Sequence, residues 1–111
     1  METKPIINVV ATQCKPEEER KFNEWYDEIH IPMLLKFKGI TEVTRYKIIG
    51  KSPEYPKYMA IYEFESQSAF EAYQTSPELA AAREEMKGTW EGQEFEIRWR
   101  VQYEPIKTWE R

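Results

Sequence analysis

Between Phe22 and Gly39 the apolar and aromatic positions recur at helical spacing. At about 100° per residue, Phe22, Trp25, Tyr26, Ile29, Met33 and Phe37 fall in one arc, with His30 on its flank. Asn23, Glu24, Asp27 and Glu28 take the opposite side, so the pattern predicts a surface helix laid across an apolar sheet. Pro16 followed by three glutamates suits its first turn, where a missing N–H is harmless and acidic side chains meet the positive end of the dipole. Pro32 predicts a break or kink near His30 and a short restart that ends at Gly39.

Around that helix the remaining elements follow from their own patterns. The β-branched run Pro5 to Cys14 reads as a central strand buried on both faces, closed by Lys15 and Pro16. Ile40 to Ile49 and Lys57 to Glu65 read as two strands joined by a turn-rich hairpin connection. The run Ser66 to Glu71 offers a capping serine three before a glutamate, Ser68 before Glu71, for a second helix that Ser76 and Pro77 interrupt and restart until Gly88. Phe95, Ile97, Trp99, Val101 and Tyr103 alternate with Glu94, Glu96, Arg98, Arg100 and Gln102, the clearest strand of the chain. A single domain over residues 1–111 is expected, with a short tail from about Glu104 whose Trp109 needs cover.

The order strand, helix, strand, strand, helix, strand is the split βαβ pattern of an α+β, ferredoxin-like protomer. Its four-stranded antiparallel sheet carries helices on one face. Ile6 and Val10 against Ile7 and Val9, and Tyr62 and Phe64 against Met59 and Ile61, make both sheet faces apolar. The uncovered face then needs a partner, and a homodimer is predicted.

Composition narrows the function classes. A net charge of −4 with intermingled signs lacks the basic stripe of a nucleic-acid surface, and no apolar run reaches the roughly 20 residues that span a bilayer. One cysteine, Cys14, forms no internal disulfide, and the N-terminus shows no apolar signal core, which favours a reducing cytoplasm. Cys14 has no basic neighbour in sequence to activate it. Glu28 and His30 point to different sides of a helix, so no metal site is expected. The isolated glycines form no phosphate loop, so no nucleotide cofactor is expected either.

The run from Phe22 through Trp25, Tyr26, His30 and Pro32 to Gly39, leading into Arg45 and Tyr46, resembles the signature of EthD-like proteins in the dimeric α+β barrel superfamily. The likeness to the superfamily extends from Ile6 to about Tyr103. It implies a protomer whose sheet joins a second one into a barrel, with a pocket between helices and sheet. The wider superfamily includes small monooxygenases without cofactors, polyketide cyclases, lactone isomerases and heme-processing enzymes. The last carry a histidine in the second helix that this chain lacks.

Within such a pocket His30 is the candidate general base, because a neutral imidazole accepts protons near operating pH. Tyr26, one turn earlier, is its candidate catalytic partner. Asn8, the polar residue inside the first strand, and either Tyr46 or Arg45 are candidates to hold a ligand oxygen. Trp25 and Trp99 could stack on a flat ligand, and Met33 joins them as a lining candidate. Arg98 and Arg100 are expected to pair with carboxylates on the barrel side. Two functions fit: a cofactor-independent oxygenase, cyclase or isomerase acting on a small hydrophobic or aromatic compound, or a non-catalytic ligand-binding or accessory protein of a degradative or biosynthetic pathway.

Overall fold

In the computed structural model, which describes residues 4–91 and 95–111, the sheet has the order β2-β3-β1-β4 with every pairing antiparallel. Its strands are β1 (Ile6–Cys14), β2 (Ile40–Lys47), β3 (Tyr58–Phe64) and β4 (Phe95–Tyr103). The first strand is central, as its two-sided apolar pattern demands. The expected alternation partner Glu94 lies outside the described residues. Helices α1 (Glu19–Trp25), α2 (Ile31–Leu34), α3 (Gln67–Gln74) and α4 (Pro77–Thr89) cover one face. Ser76 caps where the sequence places it, its Oγ accepting from the Leu79 N–H, whereas α3 is capped by Ser66, whose Oγ accepts from the Ala69 N–H, two residues ahead of the serine that the glutamate spacing selects. The last helix passes through Gly88 and ends a residue beyond it.

Two departures from regular geometry position the site. The first lies between α1 and α2, where Tyr26–His30 form a π turn and the Ile31 N–H bonds back to the Tyr26 carbonyl. Backbone angles stay helical from Trp25 through Leu35, so the irregularity expected near His30 takes the form of this widened turn and not of a full break, and the helix ends at Leu34 instead of near Gly39. Widening the turn ahead of Pro32 relieves the clash its ring would make with the preceding turn. The extra residue also rotates the apolar arc. Trp25 and Tyr26, adjacent in sequence, are both buried, Leu34 is buried too, and Ile29, expected in the arc, is 41% exposed.

The second departure is a bulge in β4. Ala11 pairs with Trp99 but Thr12 pairs with Ile97, leaving Arg98 unpaired. Side-chain direction therefore reverses along the strand: Phe95 and Ile97 face the helices, as do Arg100 and Gln102, while Trp99, Val101 and Tyr103 face the other way. The single apolar face read from uniform alternation is thus split between two surfaces. On the uncovered side the register aligns Tyr46, Met59, Ala11 and Trp99 in one row and Thr44, Ile61, Val9 and Val101 in the next.

The core lies between helices and sheet, sealed by Phe22, Phe64 and Leu34. Phe22 packs edge-on or tilted against Tyr26, Tyr58, Trp90 and Phe95 with centroids 5.2–6.3 Å apart. Gly39 is buried where a side chain would strike the Phe37 ring and Ala69.

Candidate functional site

A cavity of about 120 Å³ opens between the helices and the sheet, and the π turn supplies one wall of it. Trp25, Tyr26 and His30 come from that turn and its flank, Asn8 and Tyr62 from the sheet, and Arg83 and Met86 from α4. His30 is held between rings. Trp25 stacks on it at 4.6 Å and 21°, and Tyr26 meets it edge-on at 5.1 Å and 76°. Trp25 is itself fixed, since its Nε1–H donates to Glu85 Oε1 at 2.7 Å and Glu85 also accepts from the Thr89 hydroxyl.

This cage sets the imidazole's protonation. Burial pulls its pKa from the ordinary 6.5 down to about 4, with Glu85 opposing the shift and Arg100 adding to it. At neutral pH the ring is therefore uncharged, and Nδ1 is buried without a hydrogen-bond partner among the described residues. Beside it the hydroxyls of Tyr26 and Tyr62 lie 2.9 Å apart and share a hydrogen bond. Burial raises the pKa of Tyr26, and raises that of Tyr62 well above the usual value, so both stay protonated phenols. One proton joins the pair and the other remains available to an oxygen acceptor. Asn8 Oδ1 accepts from Gln102 Nε2 at 2.9 Å, which leaves the Asn8 amide N–H groups as donors.

Over residues 5–104 the sequence matches the family described as a domain of unknown function (DUF4286). The chain belongs to that family. No curated protein matches it. Among solved structures, this DUF4286 chain is similar to an ethyl tert-butyl ether D (EthD) family protein from Bacillus halodurans. The identity is 18% and the TM-score 0.66, with 91% of this chain and 99% of that one covered. A dimeric protein of unknown function and ferredoxin-like fold from Bacteroides fragilis matches at 19% identity and TM-score 0.64, covering 90% and 95%. SnoaB, a cofactor-independent oxygenase from Streptomyces nogalater, matches at 12% identity and TM-score 0.64, covering 97% of each chain. These likenesses establish the fold, an EthD-like, ferredoxin-like α+β protomer.

Within the DUF4286 chain, Asn8, Trp25, Tyr26 and His30 converge on the cavity. Met33, Tyr46, Trp99 and Arg45 are not among its lining residues. Met33 is half-buried and packs against the helix–sheet core. Tyr46 and Trp99 lie on the opposite sheet face, where with Ala11 and Met59 they line a shallow apolar groove. Strand parity gives the helix side to Arg45, whose guanidinium is committed to Asp27 at 2.7 Å and Asn23 at 2.9 Å and sits 4.6 Å from the Tyr26 ring centre. Arg98 pairs with Glu96 at 2.6 Å, whereas Arg100, expected to do likewise on the barrel side, lines the cavity. Cys14 is buried and its thiol pushed up to about 11 by burial, so it is no nucleophile at neutral pH.

Alternation alone hides Arg100, Gln102 and Tyr62. A signal for Gln102 does exist in the first strand. Asn8 is a polar group among buried neighbours, and such a group needs a partner from an adjoining strand.

Proposed function

We propose that this DUF4286 protein binds a small, largely apolar compound in the helix–sheet cavity and moves a proton on it, with His30 as the base. The observation that carries this reading is the buried, unpartnered Nδ1 of a neutral imidazole held between two rings on the cavity wall. A substrate hydroxyl or acidic C–H brought to the cavity wall would meet the neutral imidazole, and the oxygen left negative would face donors from the Tyr26–Tyr62 pair and from Asn8. An imidazole with so low a pKa is a weak base in isolation. Proton transfer to it leaves an adjacent anion, and the attraction between the two raises its proton affinity at that moment. The likeness to SnoaB, a cofactor-independent oxygenase on the same fold, supports a reaction that needs no cofactor.

Product formation from a panel of phenols, quinols and lactones tests the reading. Wild-type protein should turn over at least one member, His30→Gln should lose roughly a hundredfold or more, and Tyr26→Phe should lose less. Compounds that bind stoichiometrically to wild type with no product over long incubation would favour a non-catalytic binding or accessory role instead.

The protomer acts as a homodimer in this reading. Support comes from the aligned apolar rows on the uncovered sheet face and from the dimeric relative of Bacteroides fragilis. Trp109, 77% exposed in the tail, would find its cover on the second subunit. No helix among the described residues is long and apolar enough to cross a membrane, and a single buried thiol suits a reducing cytoplasm.

A further inference from the structure

The protein carries more acidic than basic residues, 20 against 16, yet among the described residues no aspartate or glutamate lines the cavity, and two arginines do. Arg83 reaches it from α4, and Arg100 from β4 beyond the bulge. Among the described residues neither makes an ion pair, whereas Arg20, Arg45 and Arg98 each hold a carboxylate. Of the acids beside Arg83 on α4, Glu85 is already engaged by Trp25 and Thr89 and Glu84 by Lys87. Both arginines belong to exposed positions, so their guanidinium groups stand where the cavity meets solvent, while Trp25, Tyr62 and Leu79 wall its apolar interior. Their charge is felt inside: Arg100 favours the deprotonated forms of His30, Tyr26 and Tyr73, and Arg83 that of Tyr73.

Resting on the cavity reading above, we propose that the ligand of this site is a single-ring aromatic carboxylic acid, bound ring-inward with its carboxylate on Arg100 and Arg83. A planar carboxylate matches the guanidinium fork. The cavity volume is of the order that admits one aromatic ring. The positive rim draws in the anion, and the ring reaches the wall where His30 and Trp25 are stacked. The bulge is what makes this possible, since without the extra residue Arg100 would sit on the open face.

Isothermal titration with two acid and amide pairs, benzoate against benzamide and phenylacetate against phenylacetamide, tests the assignment on wild type, Arg100→Gln, Arg83→Gln and His30→Gln. Wild type should prefer each acid over its amide roughly ten- to hundredfold. Arg100→Gln should remove most of that preference, Arg83→Gln part of it, and neither should change amide binding beyond about twofold. Since both side chains are exposed, folding of the variants is checked by an unchanged circular dichroism spectrum. Equal binding of acid and amide by wild type, a preference that survives both arginine substitutions, or no binding of any probe would overturn the proposal. His30→Gln should keep the acid preference. Loss of turnover in that variant with no acid preference in wild type would sink the anion site and leave the His30 reading standing. Acid preference with turnover unaffected by His30→Gln would do the reverse.

Discussion

On the covered face of the sheet, Phe22, Phe64 and Leu34 are sealed and their aromatic neighbours interlock. On the open face, Tyr46, Trp99, Val101 and Tyr103 stand in aligned rows and remain exposed. Both surfaces are apolar, and they differ in what is buried among the apolar groups. The covered side encloses Asn8, His30 and a pair of tyrosine hydroxyls around a cavity, and each polar group there is costly unless partnered or used. Val9 and Ala11, at the centre of the open side, bring no such groups. Polar groups held at a cost suit the covered surface to the proposed chemistry, and plain apolar area suits the open one to the proposed second subunit.

Truncating one residue on each face should separate them most sharply. Phe22, 0% exposed, should cost about 3–5 kcal/mol as Phe22→Ala in urea denaturation. If Trp99→Ser destabilised the protomer as much, the contrast between the two faces would collapse.

A smaller effect follows from His30. Its folded pKa lies below the unfolded value, so its contribution to stability is complete above about pH 6.5. As the pH falls toward 4, the unfolded chain takes up a proton that the folded chain refuses, and stability drops. Wild type should lose on the order of 3 kcal/mol more than His30→Gln between pH 7 and pH 4. Parallel stability curves for the two proteins would show that the imidazole is not caged as described.

The smallest effect on the protomer itself should come from Trp99→Ser, within about 0.5 kcal/mol for a side chain 42% exposed, since surface changes away from special features seldom exceed that. Its consequence should appear in assembly instead. Sedimentation at micromolar concentration should show wild-type dimers and a variant shifted toward monomer. A variant that dimerises as wild type does would remove this face from the interface.

The elements and their order are legible in the sequence because each rests on a local pattern: two-sided apolar β1, capped α3 and α4, alternating β4. His30 and Asn8 are legible as site candidates because each is a polar group beside or within an apolar run, and Tyr26 and Trp25 because they lie about one turn from that histidine with groups that bond or stack on a ligand. Facing is harder to read, and the errors share one cause. Ile29, Trp99 and Arg100 are misplaced when direction is carried along a helix or strand from an ideal period. One extra residue in the turn at Tyr26–His30 and one at Arg98 reset that period, and two successive phases of a good pattern look like one. Adjacent buried aromatics at Trp25 and Tyr26, followed by Pro32, are the available hint for the first.

The unpaired Arg98 gives the last strand two independent lives. Upstream of it Phe95 and Ile97 face the helices, and downstream the odd positions face the open side of the sheet while the even ones face the cavity. Ligand preference could drift at Arg100 and Gln102 without disturbing assembly, and loss of a single codon at that point would exchange the audiences of every side chain on one side of it.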